Sequence, residues 1–252
     1  MKITNHSEEF QLNSSNNPIH ILTQWYSESN QRRRQELVAV LHMNVINKAV
    51  TNIHFIQNSK NCTIFDDIKI DETFPIDLLK KKLIIYSKES HQRLTINQVF
   101  SYANRFIQHG YAIFINLDIF FDQSLSILQH RTLLDRKTIL YLSRYEVDPS
   151  ITTLGLQCSD KYFVGSHDTL IFQPPLITDS SEKLPYEIGT WHIEVKVIYE
   201  LLQANYTVRN TCKSIRAWHL HSSQTRHRLM PSKRYIPDRN LDEVFRYPEY
   251  LI

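Results

Sequence analysis

The sequence predicts an α/β layer architecture, a mostly parallel central sheet flanked by helices, running from residue 19 to residue 252. Three observations predict it. Short β-branched and aromatic runs alternate with stretches of helical periodicity through the first half, the order that builds a parallel sheet. One run, Tyr111-Ala112-Ile113-Phe114-Ile115, is apolar without a break, as a strand covered on both faces must be. And 252 residues at 42% hydrophobic and 22% charged content are enough for one substantial core.

Residues 1–18 are polar and Asn/Ser-rich and are expected to be poorly ordered. Ile19–Thr23 reads as the first strand, running on to Gln24-Trp25-Tyr26. Leu37, Val40, Leu41, Ile46 and Val50 recur at helical spacing and predict an amphipathic helix from about Gln35 to Val50. Ile53–Ile56 and Leu83–Tyr86 are short strands. Thr95 is expected to cap a helix reaching Gln108, with Val99, Phe100, Ala103, Phe106 and Ile107 turned inward. Beyond the buried strand, a helix is expected at Gln123–His130, strands at Thr138–Leu142 and Leu170–Phe172, and a helix at Val195–Leu202.

Composition excludes several function classes. With Gly at 4 residues, neither a P-loop nor a dinucleotide fingerprint is present, so bound phosphate must be held by a metal and side chains. A net charge of +3 is too mild for nucleic-acid binding. The basic residues crowd late, in Arg209, Lys213, Arg216, Arg226, Arg228, Lys233, Arg234 and Arg239, which suits a small anionic ligand, peripheral contact with an acidic membrane face or, for most of them, merely solvated charge. Cys62, Cys158 and Cys212 form no CxxC pair, and free thiols in a reducing compartment are expected. With no apolar segment at the N-terminus and no run of about 20 apolar residues, the chain reads as cytoplasmic.

The chemistry centres on Asn116-Leu117-Asp118. Ligands of open α/β sheets bind beyond the carboxyl ends of the strands, and this tripeptide follows the buried strand directly. A carboxylate there, with an amide two positions earlier, suits a hard divalent cation that retains sites for water and phosphate oxygens. Such a cation can neutralise charge on a leaving diphosphate. His219-Leu220-His221 adds imidazoles, and mixed oxygen and nitrogen ligation favours Mn²⁺ over Mg²⁺. The two rings are expected to face apart, so that one of them reaches a given metal.

These blocks together resemble a known family, the glycosyltransferase-2-like proteins of the GT-A fold, over roughly residues 19–228. Arg32-Arg33-Arg34-Gln35-Glu36-Leu37 resembles the family's R-x-x-E-L entry to the first helix. Arg93 to Asn104 resembles its R-x-T-Y-x-D-x-F-x-Y-A-N segment, and Ile115 to Ile119 its N-S-D-I variant of the DxD metal motif. Leu142 to Glu146 resembles L-S-R-W-D, Gly165 to Asp168 resembles G-S-Q-D, and Gly189 followed by Glu194 resembles G-x-x-x-C-D-N. His219 to Ser222 resembles the terminal H-x-H block.

The resemblance implies a Rossmann-like nucleotide-diphospho-sugar transferase, with a nucleotide-diphosphate-sugar donor and a hydroxyl-bearing acceptor. Residues 19–122 would form the donor-binding half, 123–228 the acceptor and catalytic half, and 229–252 a basic tail. It implies Thr23, Arg32, Arg93, Asn116, Leu117 and Asp118 around the donor, Asp118 with His219 or His221 on the metal, and Arg144, His167 and Arg226 near acceptor or phosphate. The catalytic base of an inverting reaction would be Glu194 or Asp168. Glu194 stands where the family has Asp, and Val195 replaces the Asn that follows. Glu can remove a proton if a partly dry cleft raises its pKa. Two other readings share these residues: a nucleotidyltransferase or nucleotide-sugar hydrolase, and a catalytically degenerate carbohydrate-binding or partner-binding protein.

Overall fold

A computed structural model describes residues 17–57, 64–87, 94–130, 135–147, 158, 167–176, 186–189 and 193–222. Strands β1 (Ile19–Thr23), β2 (Asn52–Gln57), β3 (Leu83–Ser87) and β4 (Tyr111–Ile115) are parallel to one another. Helix α1 (Gln31–Ile46) joins β1 to β2. The short helices α2 (Ile64–Asp67) and α3 (Ile76–Lys82) lie between β2 and β3, and α4 (Ile96–Phe106) between β3 and β4. Then come β5 (Ile119–Phe121), α5 (Ile127–His130), β6 (Thr138–Leu142), β7 (Arg144–Glu146), β8 (Thr169–Phe172), α6 (Ile193–Gln203), β9 (Thr207–Arg209) and β10 (Ala217–His219). The main sheet has seven strands in the order β3-β2-β1-β4-β8-β6-β9, and β5-β10-β7 form a second, three-stranded sheet.

β4 occupies the middle of the main sheet, and every one of its residues is buried. Leu37, Val38, Leu41 and Val45 of α1 pack on one face with Ile19, Ile21 and Ile113. Val99, Phe100 and Ala103 of α4, with Val197, Ile198 and Leu201 of α6, cover the other face against Leu22, Phe114 and Leu170. A fully buried side chain of this kind contributes about 1.5–3 kcal/mol. Gly110 makes the turn into β4 at φ +87°, and a Cβ there would fall 2.0 Å from the Pro18 carbonyl oxygen. The turn therefore requires glycine to seat β4 against β1.

The main sheet is mostly parallel, as expected, with β8 alone running antiparallel to its neighbours β4 and β6. Two expectations need correction. Helix α1 begins at Gln31 rather than near Gln35, since Asn30 caps it by accepting the Arg33 backbone N–H at 3.0 Å. The polar look of that first turn conceals Arg33 and Glu36, which are buried as a pair. Finally, Cys158 and Cys212 are joined as a disulfide, Cα atoms 5.5 Å apart and 54 residues separated in sequence. A pairing at that separation has no local signature, and the chain's return brings the two together. Cys62 lies outside the described residues. Among those described, no helix is long and apolar enough to cross a membrane.

Candidate active site at the exit of the central strand

The chain leaves β4 in a tight turn. The Ile119 N–H donates to the Asn116 carbonyl at 3.2 Å, and the Asn116 N–H donates to the Asp168 carbonyl at 3.3 Å. Leu220 N–H donates to the Asp118 carbonyl at 3.0 Å, which brings the end of β10 alongside. Asp118 thus stands where the main sheet and the small sheet meet. Its Oδ2 accepts from Arg33 Nη2 at 2.5 Å and lies 3.1 Å from His219 Nε2 and 3.7 Å from His221 Nδ1. Both imidazoles therefore reach the carboxylate. The expectation that they face apart is corrected: residues two apart on an extended chain share a face, and β10 ends at His219.

The surrounding charges form one chain of alternating sign. Arg33 Nη1 donates to Glu36 Oε2 at 3.0 Å and to the Leu220 carbonyl at 2.8 Å. His219 Nδ1 meets Glu146 Oε2 at 2.6 Å, and Arg144 Nε donates to Glu146 Oε1 at 2.8 Å. Arg144 Nη1 also pairs with Asp168 Oδ2, whose Oδ1 accepts from Asn116 Nδ2 at 2.7 Å. The order Glu36, Arg33, Asp118, His219, Glu146, Arg144, Asp168 leaves no buried charge in this series without an opposite neighbour, as the low dielectric requires.

Protonation follows from these contacts. Burial works to raise the Asp118 carboxyl, but His219, His221 and Arg33 outweigh it and hold the group well below the usual carboxylate range. Burial works to lower the His219 imidazole, yet its bonds to Asp118 and Glu146 lift it to about 9. Glu194, in the first turn of α6, moves the other way. Burial pushes its carboxyl up to about 7, the Asp168 charge adds to this, and Arg144 partly offsets it.

Asp118, His219 and His221 offer one ligand atom each, all within 4.8 Å of one another. The buried His221 Nε2 has no hydrogen-bond partner among the described residues. One carboxylate oxygen with two imidazole nitrogens is a donor set suited to Mn²⁺, so the residues fit the ion that the sequence predicts. A cleft opens beside this cluster, lined by Asn116, Asp168, Glu194, Tyr141, His167 and an apolar wall.

Most of the expected residues converge here. Asn116, Asp118, Asp168, Glu194, Arg144, His167, His219 and His221 all belong to the cluster or its cleft. Thr23 is buried at the end of β1, and Leu117 is buried in the turn. Arg93 and Arg226 lie outside the described residues, as does the segment 223–252. Arg32 is exposed on α1, while Arg33 turns inward onto Asp118. Counting R-x-x-E-L back from Glu36-Leu37 lands on Arg33, so the signal was in the sequence one residue away. Glu146, which orients His219, was legible only as part of a motif, and Tyr141 looked like an ordinary strand residue.

No family model matches the chain, and no curated protein matches it. Solved structures do. The chain is similar to the inositol-1-phosphate CTP transferase from T. maritima at 10% identity and TM-score 0.45, covering 80% of this chain and 88% of that one. It is similar to the mannosyltransferase PcManGT from Pyrobaculum calidifontis, solved in complex with GDP-Man and Mn²⁺, at 6% identity and TM-score 0.50. That match covers 84% of this chain, which spans 59% of the mannosyltransferase's length. What the likeness to the second shows is the fold alone: a Rossmann-like α/β domain, its mainly parallel sheet flanked by helices.

Proposed function

We propose that the protein is a metal-dependent glycosyltransferase that moves a sugar from a nucleotide-diphosphate-sugar donor to a hydroxyl acceptor. One observation carries the reading: Asp118, at the exit of the central strand, converges with His219 and His221 beside a cleft that holds a separate carboxylate, Glu194. A metal site and a proton acceptor side by side are what diphosphate departure with acceptor deprotonation requires. The fold it shares with a mannosyltransferase is consistent with that use.

Asp118, His219 and His221 would hold the divalent ion. When bound, the ion supplies Lewis-acid stabilisation of the leaving diphosphate. The rest is the work of side chains. Glu146 fixes the His219 ring through Nδ1, as outer carboxylates do for metal-bound imidazoles. Arg33 holds Asp118 and the Leu220 carbonyl together, which sets the turn against β10. Asp168 has both oxygens committed, to Arg144 and Asn116, so it positions rather than takes a proton. Glu194 makes no side-chain hydrogen bond to another of the described residues, which leaves its carboxylate available. The acceptor oxygen attacks the anomeric carbon, its proton passes to Glu194, and the bond from that carbon to the diphosphate oxygen breaks. Attack opposite the leaving group inverts the anomeric centre.

The N-terminal part, 19–122, would carry the donor, and the basic tail would add to phosphate binding. The test is a thermal-shift screen of nucleoside diphosphates and nucleotide sugars with and without Mn²⁺, followed by product analysis. A ligand that binds only the folded state raises the melting temperature. Sugar transfer with release of nucleoside diphosphate supports the proposal. Release of pyrophosphate from a nucleoside triphosphate would establish a nucleotidyltransferase instead, and no metal-dependent shift with any nucleotide would overturn both.

A further inference from the structure

The cleft beside the metal cluster contains a phenol that the proposed reaction leaves idle. Tyr141, on β6, is only 6% exposed, and it lines the cleft together with Asp168 and Glu194. Its ring packs against His167 at 5.5 Å between centroids, yet its hydroxyl has no hydrogen-bond partner among the described residues. Burial, then the charges of Glu194 and Asp168, hold this phenol protonated far into the alkaline range, so it offers both a donor and an acceptor.

The remaining lining has two characters. Phe114, Ile188 and Ile193 form an apolar wall. Asp168 and Glu194 bring negative charge to the same lining, and Arg144, a cation among the described residues, is already shared between Asp168 and Glu146. Carboxylates and a phenol beside apolar side chains match a pyranose ring, which presents hydroxyls around its rim and C–H bonds on its face. A ligand carrying its own carboxylate or phosphate would meet like charge here and bind poorly.

We propose that this cleft is the acceptor subsite, that it takes an uncharged sugar ring and refuses acidic sugars, and that Tyr141 is its specificity-determining residue. This rests on the glycosyltransferase reading for the word acceptor, but the binding preference can be measured without turnover. Tyr141 would hydrogen-bond a ring hydroxyl and hold the neighbouring one toward Glu194.

The experiment is saturation-transfer NMR on the full chain at pH 8 with Mg²⁺. The probes are methyl β-D-glucopyranoside, methyl β-D-galactopyranoside and the methyl glycoside of glucuronic acid. A parallel calorimetric arm measures UDP and GDP binding with Mn²⁺. At least one neutral glycoside should bind at least tenfold more tightly than the glucuronide. Tyr141→Phe should weaken the neutral glycoside by about tenfold, one lost hydrogen bond to a buried group, without changing nucleotide affinity. Glu194→Gln, which removes one negative charge, should narrow the preference over the glucuronide. Equal binding of the glucuronide, or neutral binding that neither variant alters, overturns the proposal. So does nucleotide binding with no glycoside bound, an outcome that leaves the glycosyltransferase reading standing. Glycosides bound in the expected pattern with no nucleotide bound would sink that reading and leave the sugar cleft intact.

Discussion

Replacing Glu194 with Gln should make the protein more stable and less active, and the gain in stability should depend on pH in a fixed direction. The wild-type carboxyl is pushed from its ordinary 4.5 to about 7, first by burial and then by the Asp168 charge. The folded protein therefore holds this proton more tightly than the unfolded chain does. Below about 4.5 both states are protonated and the shift costs nothing. As pH rises to about 7, the unfolded chain gains by releasing its proton while the folded one cannot, and above about 7 the penalty is complete. At 1.36 kcal/mol per tenfold change in proton affinity, the displacement is worth at most about 3 kcal/mol. Gln carries no proton to lose. Glu194→Gln should melt about 6–12 °C above wild type at pH 8, taking about 2–4 °C per kcal/mol for a chain of this size. The two should converge near pH 4. Thermal melts at both pH values measure this, and transfer assays should show the wild-type rate rising through about pH 7 while the variant loses most of its rate. A melting difference that is the same at both pH values, or a less stable variant at pH 8, refutes the argument that Glu194 is a strained, available base.

Arg33→Ala should destabilise the fold by about 3–5 kcal/mol, because it leaves Asp118 and Glu36 without their shared cation. Arg32→Ala, on the exposed face of α1, should stay within about 0.5 kcal/mol, and urea unfolding compares them. Asp118→Ala should abolish any Mn²⁺-dependent shift produced by a nucleotide; if that shift persists, the cation binds elsewhere. Cys212→Ser should lower stability by about 2–4 kcal/mol, since the Cys158–Cys212 bridge closes a loop of 54 residues, and reductant should lower the wild-type melting temperature to match the variant.

The individual elements were legible wherever the local signal was long or chemically distinct. The unbroken apolar run Tyr111–Ile115 announced a central strand, and that strand occupies the middle of the main sheet. Thr95 with Gln98 formed the capping box that starts α4. The three-residue strands β5, β7, β9 and β10 passed unnoticed, because three residues carry no period and their pairing partners lie far away in sequence. The antiparallel run of β8 was hidden for a similar reason: strand alternation predicts a sheet, and only the loops and packing decide direction.

Sequence by itself determined that a carboxylate would stand at the exit of a buried strand, because hydrophobic burial fixes where such a strand must lie and the turn residues must follow it. It also supplied Glu194, Asp168 and the His219–His221 pair as chemistry-bearing groups. Which of them meet was decided by tertiary structure alone. The small sheet carries β10 back against the β4 turn, so that residues 101 apart, Asp118 and His219, lie 3.1 Å from each other. That same return selects Arg33 over Arg32 and separates an occupied Asp168 from an available Glu194. Side-chain identity is local information, but charge compensation in a low-dielectric interior is a property of the neighbours that the fold assembles.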